Sequence, residues 1–138
     1  MIKPIIIILF FSLGFNVQAQ TTANPQTDTL RWNASGFTDL IANKSAQVTK
    51  QFITYGTGKI DFIQKDGKLT YTLTVSSVDG TWSDANVDGT ITYNITFNEM
   101  MGTLSITRSS GAITITLNVT SVSNMVNNQY AIANFDIL

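Results

Sequence analysis

Leu69-Thr70-Tyr71-Thr72-Leu73-Thr74-Val75-Ser76 and Thr90-Ile91-Thr92-Tyr93-Asn94-Ile95-Thr96-Phe97-Asn98 decide the fold class. In both runs an apolar residue alternates with a hydroxyl or an amide. A period of two places every apolar side chain on one face of an extended chain and every polar one on the other, the pattern of a half-buried β-strand. Between the runs lies Val78-Asp79-Gly80-Thr81-Trp82-Ser83-Asp84-Ala85-Asn86-Val87-Asp88-Gly89, a loop carrying three carboxylates, an amide and a Trp.

The same grammar extends outward in both directions. Leu30–Ala34, Lys50–Tyr55, Lys59–Lys65, Thr103–Arg108, Ala112–Ser121 and Tyr130–Leu138 read as further strands. Ile113, Ile115, Leu117 and Val119 share one face of their run, and Ala131, Ala133, Phe135 and Ile137 one face of the last. Gly56-Thr57-Gly58, Asp66-Gly67, Glu99–Gly102 and Ser109-Ser110-Gly111 separate the runs, and Asp-Gly between alternating segments is a strong signal for a two-residue hairpin turn. Val122–Gln129 reads as a longer connection. Phe37, Leu40 and Ile41 fall at i, i+3 and i+4, which predicts one helical turn over Ser35–Ile41 capping the core.

About eight strands joined mostly by tight turns form an antiparallel meander, since short connections join neighbours. The fold expected is all-β, a small up-and-down barrel, because closure removes sheet edges; a two-sheet β-sandwich is the alternative. Strand count and order resemble a calycin-type barrel. The Gly-x-Trp that lipocalins carry on the first strand is missing around Trp32 and occurs instead as Gly80-Thr81-Trp82, so the lipocalin-like resemblance is one of architecture. An eight-stranded barrel is just wide enough to be filled by its own side chains or to hold one small ligand. Phe52, Phe62, Tyr71 and Phe97 predict an interior that is filled in part.

Composition narrows the function classes. The chain has 138 residues, is 43% hydrophobic and 12% charged, and contains neither Cys nor His. A formal charge of -1 leaves no basic field for a phosphate backbone, so nucleic acid is not an expected partner. Without Cys there are no disulfides and no thiolate sites; without His a Ser-His-Asp triad cannot be built. The spacing of Asp61, Asp79, Asp84, Asp88 and Glu99 selects no catalytic pair. A non-catalytic protein is expected. Lys3, the apolar run Ile5–Phe15 and Val17-Gln18-Ala19 read as a signal peptide over residues 1–19, predicting a secreted or periplasmic bacterial protein. Residues 20–29 read as a flexible leader and 30–138 as a single domain.

Two candidate sites follow. Asp84-Ala85-Asn86-Val87-Asp88-Gly89 matches the first half of an acidic calcium loop, in which alternate oxygens converge on a hard cation and Gly makes the turn. The closing carboxylate is missing, since Thr92 and Ile95 stand where it would fall, and Asp79 is the candidate replacement. Asp79, Asp84, Asn86 and Asp88 are therefore the candidate metal ligands, with calcium the one cofactor suggested, and a calcium-stabilised structural or adhesive β module built on the Asp79–Gly89 loop is the alternative to a binding protein. Trp82, Tyr71, Tyr93 and Phe97 are the candidate ligand-binding residues. They suit a small apolar or amphipathic ligand in the barrel or, if Trp82 stacks, a glycan. Alternation together with export also fits a small outer-membrane barrel, although membrane insertion is disfavoured against the binding protein. The sequence does not fix the oligomeric state.

Overall fold

The protein is described by a computed structural model covering residues 21–64 and 67–138. The expected signal peptide, and Lys65-Asp66 of the expected β-hairpin turn, lie outside the described residues. Eight strands run in chain order: β1 Thr29–Asp39, β2 Lys44–Tyr55, β3 Lys59–Gln64, β4 Leu69–Asp79, β5 Gly89–Phe97, β6 Met100–Ser109, β7 Ala112–Thr120 and β8 Met125–Ile137. Each is antiparallel to the next, and β8 pairs with β1 to close the barrel. The up-and-down barrel is observed, and the sandwich is not.

The alternation does what its chemistry requires. Ile91, Tyr93 and Ile95 of β5, Leu104 and Ile106 of β6, and Ile113, Ile115, Leu117 and Val119 of β7 are buried in one interior cluster. Thr, Ser and Asn face outward and pair across strands, as in Thr92–Ser105 at 2.9 Å and Asn33–Asn134 at 2.6 Å. A lipid-embedded barrel needs the reverse, with apolar residues on the outside. The outward Thr, Ser and Asn weigh against the outer-membrane alternative.

Three expectations about elements are corrected. No helical turn occupies Ser35–Ile41; β1 runs through to Asp39, with the register shifting between Ala34 and Gly36. The irregularity lets both Ala34 and Phe37 reach the interior cluster, a spacing of three that imitates a helix. Met100–Gly102 belongs to β6, and the preceding turn is only Asn98-Glu99, with Asn98 left-handed at φ 54°. In β8 the chain skips Ala133 against β1, so Tyr130 and Ile132 turn inward where Ala131 and Ala133 were expected.

The two barrel ends differ. One collects the 56–58, 80–88 and 110–111 connections and both ends of the described chain; the other collects 40–43, 98–99 and 121–124, with the end of β3 and the start of β4. Thr21–Asp28, expected as a flexible leader, folds across the first end instead. Ala23 and Pro25 are fully buried there, Ala85 N–H donates to the Ala23 carbonyl at 2.7 Å, and Tyr93 Oη donates to the Pro25 carbonyl at 3.1 Å.

Candidate functional site

The barrel interior is divided by an aromatic layer. Phe52 and Phe62 stack at 4.3 Å with ring planes 6° apart, and Tyr130 meets them edge-on at 5.0 and 5.6 Å. Toward the capped end the space is filled. Trp32 lies 6.1 Å from Trp82 and 5.3 Å from Phe135, and its indole N–H donates to the Thr54 hydroxyl at 3.0 Å. Trp82 is 5% exposed, and its own N–H donates to the Val87 carbonyl at 2.9 Å, closing the loop on itself. Large aromatic side chains bury most apolar area when folded back in this way. Trp82 is a plug.

On the other side of the layer lies a cavity of about 340 Å³, within the lower part of the range usual for small-molecule sites. Phe37, Tyr71, Phe97, Met100, Leu117 and Val126 contribute apolar walls, and Lys50, Gln64 and Asn128 the polar groups. Tyr71 and Phe97 form one wall, T-shaped at 5.5 Å. Each reaches the site through strand alternation, Tyr71 near the start of β4 and Phe97 at the end of β5, so both stand at the same end of neighbouring antiparallel strands.

The four candidate ligand residues therefore separate into two pairs. Tyr71 and Phe97 line the cavity. Trp82 and Tyr93 belong to the capped end, Tyr93 only 1% exposed with its hydroxyl on Pro25. Burial pushes the Tyr93 phenol up to about 12.

The acidic loop disperses its carboxylates. Asp84 accepts from the Asn86 backbone N–H at 3.0 Å, the Asn86 side-chain amide at 2.9 Å and the Ala23 N–H at 3.5 Å. The Asn86 backbone bond is the foremost reason its carboxyl sits below the usual range. Asp88 instead accepts from Ser110 and Gly111 N–H at 2.9 and 3.3 Å, holding the β6–β7 turn, and Asp79 accepts from the Asn94 amide at 3.0 Å. Among the described residues no three acidic side chains come together as a metal-binding group. Asp84, Asn86 and Asp88 clip loops, and Asp79 ties β4 to β5. The motif spacing is what turn chemistry also demands.

Sequence reasoning passed over Lys50. It stands two residues before Phe52 and four before the buried Thr54, so strand alternation puts it on the inward face. Its ammonium lies 5.3 Å from the Phe37 ring centre, 5.6 Å from Phe62 and 5.8 Å from Tyr130. Burial holds its pKa below the ordinary lysine value. Arg31, Lys59 and Arg108 approach the carboxylates of Asp136, Asp61 and Asp88; among the described residues Lys50 has no such partner, and no Asp or Glu lines the cavity.

No protein-family model matches the chain, and comparison with curated proteins finds no significant match.

Proposed function

We propose that this is an exported, non-catalytic binding protein that holds one small apolar or amphipathic molecule in the cavity of its barrel. The observation that carries the reading is the asymmetry of the interior. One half is occupied by Trp32, Trp82 and the buried Ala23 and Pro25 of the Thr21–Asp28 segment, while the other keeps about 340 Å³ of apolar-lined space. Apolar surface left facing a cavity forgoes dispersion contacts that a complementary ligand restores. A mostly apolar concavity with a few polar groups is the usual form of a small-molecule site. The lining residues also favour binding over chemistry. Lys50, Gln64 and Asn128 offer hydrogen bonds and charge, but among the described residues no carboxylate or imidazole lines the cavity with them as a proton acceptor.

A neutral apolar fluorophore, N-phenyl-1-naphthylamine, tests the reading. The expected result is saturable 1:1 binding with enhanced emission, weakened by Val126→Trp, which fills the cavity from β8. Absence of saturable binding to the folded protein overturns it. Equal binding by the Trp variant would place the ligand elsewhere and overturn it as well.

A further inference from the structure

We infer that the ligand is a single-chain amphiphile with a carboxylate head, and that Lys50 reads the head. This rests on the binding reading above and specifies its ligand class. The argument begins with the position of the ammonium. A lysine at a barrel rim ordinarily extends its stem along apolar surface and keeps its head in water. Lys50 instead keeps its head over the aromatic layer, within 6 Å of the Phe37, Phe62 and Tyr130 ring centres. Ring faces attract the cation, but a partly desolvated ammonium still has donors to satisfy, and no acid among the described residues lines this cavity.

An entering carboxylate would supply the missing acceptor. Gln64 and Asn128 line the same cavity and add amide donors for a second oxygen. With the head against Lys50, the chain lies along Tyr71, Phe97 and Leu117, a wall that carries no charge. A volume of about 340 Å³ admits one modest chain and not a two-chain lipid. Burial of the ammonium, which lowers its pKa, is a cost that an anionic partner removes and a neutral one does not.

The test compares dodecanoate with dodecanol, equal in chain and different in head, by calorimetric titration of the wild-type protein and of Lys50→Met and Lys50→Arg. Met keeps the length of the stem without the charge, and Arg keeps the charge. Wild-type protein should bind dodecanoate at least about tenfold more tightly than dodecanol, the scale of one charge-assisted hydrogen bond. Lys50→Met should bind both alike with its dodecanol affinity retained, and Lys50→Arg should restore the preference for the acid. Equal binding of acid and alcohol by the wild type overturns the carboxylate assignment and leaves the binding reading standing. A preference that survives in Lys50→Met overturns the role of Lys50. Failure of both amphiphiles to bind the wild type overturns the binding reading itself. Thermal melts of each variant establish that the barrel is folded.

Discussion

The Trp32 indole N–H and the Thr54 hydroxyl, on the adjacent strands β1 and β2, meet at 3.0 Å inside the barrel. Thr54 is the only polar residue other than the tyrosines to be buried there among the described residues, and every buried side-chain donor or acceptor described has a partner. Removing one partner of such a pair costs more than removing both, because the survivor keeps its desolvation penalty. Thr54→Val is expected to destabilise the fold by about 1–3 kcal/mol in urea unfolding. Trp32→Phe combined with Thr54→Val should cost less than the two single changes added together. Strict additivity in this double-mutant cycle would show that the bond contributes nothing.

A second prediction concerns Gly89. A Cβ at this position would overlap the Trp82 indole, so a side chain here competes directly with the plug. Gly89→Ala should displace Trp82 from its place against Trp32 and lower stability by about 1–3 kcal/mol, the usual scale of overpacking. Tryptophan emission should shift to the red and acrylamide quenching should increase. Unchanged emission and an unchanged melting temperature would contradict the close packing of loop and barrel.

Stability should fall at both extremes of pH. Asp61 is pulled two ways: burial alone would raise its carboxyl, but hydrogen bonds from Tyr55 and Thr72 and the nearby Lys59 ammonium outweigh that and hold it below 3.8. Asp136 is also held below 3.8, first by the Asn33 amide and then by Arg31. A depressed carboxyl contributes stability above its unfolded pKa and loses it as pH falls through the folded value, so acid weakening begins near pH 4. Tyr93 gives the alkaline side. Its folded value of about 12 against an ordinary 10.0 favours the protonated phenol in the barrel, so its contribution is complete below pH 10 and disappears as pH rises toward 12. Two units correspond to roughly 3 kcal/mol. Lys50 acts in the opposite sense, because its lowered pKa makes its charge a cost that fades as pH approaches 10.5. Urea midpoints across pH, together with ultraviolet titration of the phenols, measure each arm. A Tyr93 that ionises at pH 10 in the folded protein would contradict its burial.

Unbroken alternation made the fold legible. In β7 the residues from Ile113 to Val119 face where a period of two puts them. The reading failed at irregularities, because a slip of one residue exchanges the two faces of everything beyond it. The shift after Ala34 made Phe37 look helical, and the skip at Ala133 reversed the facing of Tyr130–Ile132 in β8. Gly36 is a local mark of the first shift, which β1 makes against β2 as well as β8, whereas nothing local marks the skip at Ala133, where the pairing across the closing seam decides the register. The candidate site was half legible for the same kind of reason. Tyr71 and Phe97 were found from their strand faces, whereas Trp82 and Tyr93 share that chemistry and differ only in which barrel end is capped. The cap is made by Thr21–Asp28, a polar stretch with no periodicity, held by backbone carbonyls that a sequence does not display. Lys50 was legible in the sequence: its parity with Phe52 points inward, against the ordinary preference of lysine for solvent.

The pairing of β8 with β1 has a consequence for how the molecule is made. Seven of the eight strand pairings join neighbours in the chain, and each can form as soon as its hairpin exists. The eighth aligns Leu30 with Ile137, across nearly the whole chain, and must wait for the last strand to be synthesised. Until then β1 presents an open edge, and open edges are templates for other chains. Contacts this distant in sequence slow folding, so the interval between synthesis and ring closure is the period in which the chain is most exposed to aggregation. A chain ending before Met125 would never leave it.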